Sequence, residues 1–80
     1  MTDTVKLNEC IRESGLKMSF IAQKMGLSPY GFQLKRENVN AFKADEIEKL
    51  CDILHIESLE DRFAIFFAKD VEKSSTDEKE

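Results

Sequence analysis

An α-helix does not run unbroken through Gly26-Leu27-Ser28-Pro29. Gly26 accepts the positive φ that follows a helix end and that most side chains resist. Ser28 is suited to accept a hydrogen bond from an early backbone N–H. Pro29 suits the first helical position, where a missing N–H costs nothing. The surrounding stretch, LKMSFIAQKMGLSPYGFQLKRENVNAF from Leu16 to Phe42, therefore reads as two short helices, Met18 to Met25 and Pro29 to Glu37, joined by a tight turn. Ala22, four residues before Gly26, is small enough to let the second helix cross closely, and Ile21, Met25 and Phe32 point into the crossing.

The rest of the chain arranges itself around this pair. Residues 1–3 are expected to fray, and Asp3 or Thr2 caps a first helix that runs to about Ser14, with Leu7, Cys10, Ile11 and Ser14 on one stripe and Gly15 ending it. Leu16 then enters the core. Asn38-Val39-Asn40 suits a turn, since asparagine tolerates left-handed backbone. Phe42 returns to the core, and Asp45 and Glu46 open a fourth helix with negative charge at its positive pole. Ile47, Leu50, Cys51 and Leu54 form its buried stripe, and His55 ends it, histidine being one of the few side chains found at positive φ. Ser58 with Asp61 approximates a capping box for a last element. The run FAIFFA that follows reads as helix or as a short strand, and helix is the reading adopted. A small domain does not bury Phe63, Ile65, Phe66 and Phe67 together, so part of that surface either meets a partner or stays half exposed.

Eighty residues make one domain with a small core. No apolar run is long enough to span a bilayer, and no secretory leader is evident. Cys10, Cys51 and the lone His55 do not make a metal site, and the two cysteines read as buried free thiols of a reducing cytoplasm, with a disulfide between them the weaker alternative. The net charge of −4 is unevenly spread: residues 1–43 hold seven basic and four acidic side chains, residues 44–80 five basic and twelve acidic. The first half is mildly basic, and few cations release few counterions from nucleic acid. There is no glycine-rich phosphate loop, no GxSxG and no His/Cys cluster. No catalytic residue, cofactor or metal is expected, and function is assigned to a surface.

Ala22, Gly26, Leu27 and Phe32, with Ser28 as cap, resemble the helix-turn-helix of the lambda-repressor and Cro-like family, and EIEKLCDILHI follows at that family's distance. The resemblance implies an all-α, lambda-repressor-like five-helix bundle over residues 1–72, its last segment helical or partly extended, while residues 73–80, KSSTDEKE, polar and charged with no apolar anchor, read as a disordered tail. One departure is Lys17, where the family usually places Ser or Thr; that cap is weaker unless Ser19 helps.

In the family the second motif helix enters the major groove. Carried onto this chain, the partner-facing or DNA-facing positions are Pro29, Tyr30, Gln33 and Leu34, with Lys35 and Arg36 nearby and Met18 and Phe20 on the preceding helix. Only Gln33 is a good base reader, while Lys35 and Arg36 suit phosphates. Met18, Phe20, Pro29, Tyr30 and Leu34 make this face unusually apolar, the composition of a protein–protein hot spot. The competing reading is that some of them pack inside. The chain through about Glu72 also resembles the modulator-of-repression antirepressors of temperate phages of Gram-positive bacteria. That resemblance implies a cytoplasmic regulator of the lysis/lysogeny switch. It would seize the N-terminal helix-turn-helix domain of a phage repressor, and would meet DNA weakly or only within the joint complex. The alternative is a Cro-type repressor that binds operator DNA directly.

Overall fold

Capping chemistry sets the element boundaries. The computed structural model describes residues 1–68. Within them the chain forms five α-helices and no strand: α1 (Thr4–Ser14), α2 (Met18–Lys24), α3 (Pro29–Arg36), α4 (Ala44–Leu54) and α5 (Leu59–Phe66). The Asp3 carboxylate accepts from the Lys6 N–H, the Ser28 hydroxyl from the Gly31 N–H, and the Ser58 hydroxyl from the Asp61 N–H. In α4 the Glu46 carboxylate reaches back to accept from the Lys43 N–H at 2.9 Å. Only α2 starts without such help: Lys17 makes no side-chain cap, and Ser19 supplies none.

The turns fall where the residue types permit left-handed backbone. Gly15 and Gly26 have φ of 74° and 75°, Asn38 and His55 of 66° and 58°. The expected helix Met18 to Met25 stops one residue short, with Met25 as its C-cap, and the expected Pro29 to Glu37 likewise stops at Arg36. FAIFFA is helical to Phe66, with Phe67 as the cap, so no extended segment occurs there. The expected polar tail, residues 73–80, lies outside the described residues.

The core is contributed by every helix. Leu7 and Ile11 of α1, Ile21 and Ala22 of α2, Phe32 of α3, Leu50 and Cys51 of α4, and Ile65 and Phe66 of α5 are buried, together with Met25 and Ile56 from the connections. Ala22 is wholly buried, which allows α2 and α3 to approach. A run of edge-on aromatic contacts crosses the core: Phe32 to Phe42 at 6.3 Å, then Phe42 to Phe66 at 5.6 Å. The start of the chain, expected to fray, is instead tied down by several hydrogen bonds, among them a pair between Met1 and Ala68. The Asn38 side chain accepts from the Thr2 N–H and donates to the Thr2 carbonyl, and the Asp3 N–H donates to the Ile65 carbonyl.

Candidate interaction surface

The residues expected to face a partner divide into two groups once placed. Ile21, Ala22 and Phe32 turn one side of the α2–α3 pair into the core, and the other side is left to solvent. Met18 is 38%, Phe20 42% and Tyr30 67% exposed, and Pro29 and Gln33 are exposed as well; Met18 and Phe20, two positions apart, leave α2 on different sides. Leu34 is half-buried. Helix geometry explains the split: Tyr30 and Phe32 are two positions apart on α3, about 200° around its axis, so burying one exposes the other. The competing reading, that some of these residues pack inside, fails for Met18, Phe20 and Tyr30 and holds in part for Leu34.

Two of the named residues do not stand where a phosphate contact needs them. Lys35 Nζ lies 2.8 Å from Glu46 Oε1 and donates to the Ala41 carbonyl at 3.1 Å. Both side chains of the Lys35–Glu46 pair are only 12% exposed. Burial by itself raises the Glu46 carboxyl. The hydrogen bonds from Lys35 and from the Lys43 N–H, with the charges of both lysines, outweigh it and hold Glu46 below the usual carboxylate range. Lys35 thus joins α3 to α4. The Arg36 guanidinium lies over the Phe32 ring, 4.9 Å from its centroid, and Nη1 reaches Asn8 Oδ1 at 3.4 Å. Burial lowers its pKa, opposed by the neighbouring Glu37 charge. Arg36 Nε is buried without a hydrogen-bond partner among the described residues. Both cations serve the fold, which corrects the reading of them as free phosphate contacts.

Gln33, the one good base reader by type, is within reach of its own helix: Nε2 donates to Glu37 Oε2 at 3.2 Å. Lys17 and Lys24 are the cations left at the surface beside these residues, Lys24 Nζ lying 5.7 Å from the Phe20 ring centroid. The chemistry on offer is therefore aromatic and thioether surface with sparse positive charge. It suits burial against another apolar surface better than hydrogen bonding to base edges.

Sequence reasoning overlooked one exposed residue of the last helix. Leu59 is 79% exposed, and Phe63 and Phe67 are 66% and 53% exposed on the same side. The spacing i, i+4, i+8 counted from Leu59, the residue after the Ser58 cap, was the available signal. Among the described residues no helix is long and apolar enough to cross a membrane, and no group of three or more His, Cys, Asp or Glu side chains is arranged to hold a metal ion. Comparison with known proteins brings no further guide: no family model matches the chain, and no curated protein or solved structure matches it significantly.

Proposed function

We propose that this chain is a phage-type regulator of the lambda-repressor-like helix-turn-helix class that acts as an antirepressor. In this reading α2 and α3 are the helix-turn-helix, and their outer face seizes the DNA-reading domain of a phage repressor. The observation that carries the proposal is the surface chemistry of α2 and α3: Met18, Phe20 and Tyr30 are exposed, while Lys35 and Arg36 are consumed by contacts inside the fold. A reader of operator DNA needs the reverse, cations free for phosphates and amide or guanidinium groups free for bases. The repressor's DNA-reading face is basic by necessity, and it is the acidic second half of this chain, residues 44–80, that complements it, the α2–α3 half being itself mildly basic. Binding there would block the operator and release the repressed promoter.

The test mixes the chain with the N-terminal domain of a phage repressor and its operator. The parent chain is expected to strip the operator from the repressor in a gel shift. Met18→Ala with Tyr30→Ala should fail to do so while melting near the parent temperature, because interface anchors cost about 2 kcal/mol or more of binding and exposed side chains about 0.5 kcal/mol of stability. A folded double variant that still strips the operator would rule this face out. A tight, sequence-specific complex of the chain alone with operator DNA would instead establish the Cro-type reading.

A further inference from the structure

Helix α5 separates two surfaces that the proposed function does not use. On one side Leu59, Phe63 and Phe67 form an exposed apolar stripe, and the Phe63 and Phe67 rings are paired at 5.5 Å between centroids. A helix turns about 100° per residue, so Asp61 and Ala64 lie well around the helix from that stripe, with Glu60 on the solvent side between. Asp61 and Ala64 form one wall of a cleft whose opposite wall, on α1, carries Glu9 and Glu13. Glu57 adds a fourth carboxylate, and Lys6 is the one lysine or arginine among the described lining residues. The concentration of negative charge is felt by the thiol in the cleft. Burial, then the charges of Glu13, Asp61 and Glu9, push Cys10 above its ordinary value.

We infer that the outer side of α5, with the acidic cleft beside it, docks a basic amphipathic helix of another protein, the partner's apolar side on Leu59, Phe63 and Phe67 and its lysines or arginines over Glu60, Asp61 and the cleft. Two independent features select this occupant. Three large apolar side chains on one helix are the pattern that an apolar stripe of a second helix packs against. Charge then discriminates among such helices. A second copy of this chain brings the same acidic flank: residues 44–68 hold seven Asp or Glu and two Lys or Arg. Of the two cations, Arg62 spends its Nε on the Ile56 carbonyl at 2.8 Å. Like charges face each other in a self-pair and opposite charges in the heterologous one.

The experiment is fluorescence anisotropy of the full chain with a labelled amphipathic helix built of leucine and lysine, and with a control in which glutamate replaces lysine. The lysine peptide is expected to bind and the glutamate peptide not to. Phe63→Ser and Leu59→Ser should each weaken binding by about tenfold or more. Glu9→Gln with Glu13→Gln, which leaves α5 untouched, should weaken it and reduce its salt dependence. Met18→Ala with Tyr30→Ala should bind the peptide as the parent does, which keeps this surface separate from the antirepressor face. Circular dichroism melts establish that each variant is folded. Equal binding of both peptides, or undiminished binding by folded Phe63→Ser, overturns the inference. So does self-association of the parent in sedimentation that Phe63→Ser abolishes, which assigns the stripe to a second copy.

Discussion

Lys35 and Glu46 show how a single contact redirects a residue from surface to scaffold. With both side chains 12% exposed and the pair at 2.8 Å, removing one charge leaves the other largely buried without its counter-ion. Glu46→Gln is expected to cost about 1–3 kcal/mol at neutral pH, read from urea unfolding. The pH dependence has a definite sign. The Glu46 carboxyl titrates lower in the folded chain than its ordinary 4.5, so its stabilisation is present above pH 4.5 and lost as pH falls through the folded value. In a pH series Glu46→Gln should flatten that acid limb, and an unchanged limb would mean the pair contributes nothing. Backbone strain gives a second residue-scale expectation. His55 holds φ of 58° at the end of α4, where glycine is at ease. His55→Gly should raise stability by roughly 0.5–1 kcal/mol. Gly26→Ala should do the opposite: φ is 75° and a Cβ there meets nothing within 4 Å, so the loss of about 1–2 kcal/mol is strain alone. A thermal melt in which both substitutions destabilise equally would contradict the argument.

At the scale of elements, α5 separates side chains that composition treats alike. Phe66 is buried against Phe42, whereas Phe63, three positions earlier, is 66% exposed. Phe66→Ala is expected to cost about 3–5 kcal/mol and Phe63→Ala only about 0.5 kcal/mol. The α2–α3 crossing has a similar test: Ala22 has no exposed surface, and Ala22→Leu should overpack it by about 1–3 kcal/mol. Much of this organisation was readable beforehand because it rests on local rules. Gly15 and Gly26 mark turns, Ser28 and Ser58 cap helices, and Leu7, Ile11, Leu50 and Cys51 fall on periodic stripes. The roles of Lys35 and Arg36 were not readable, since Glu46, Phe32 and Asn8 reach them only after α1, α3 and α4 have packed. The FAIFFA run was ambiguous for another reason: apolar on both faces, it carries no period, and packing of Ile65 and Phe66 decides its face.

For the molecule as a whole, charge and surface chemistry bear on the same question, whether this chain engages DNA by itself. Its net charge is −4, and of the basic side chains nearest the α3 outer face two are tied into the fold. Non-specific affinity for nucleic acid scales with the number of cations that displace counterions from phosphate, so it should be feeble here. Sequence-specific affinity needs bidentate groups at base edges, and Gln33 alone among the exposed residues of α3 is of that type. The isolated chain should therefore give no anisotropy change with duplex DNA at submicromolar concentration and physiological salt. The usual control, stripping Lys35 and Arg36 to remove phosphate contacts, would mislead, because Lys35→Ala removes the α3–α4 tie and Arg36→Ala uncovers the Phe32 ring. Lys17→Ala with Lys24→Ala is the cleaner probe, since both side chains are exposed and neither forms an ion pair among the described residues. If DNA is the direct target, this variant should lose affinity broadly across sequences and show a shallower salt slope. If an apolar protein surface is the target, capture of a repressor domain should persist in the Lys17/Lys24 variant and disappear in the Met18/Tyr30 one, and the reverse pattern would sink the antirepressor reading.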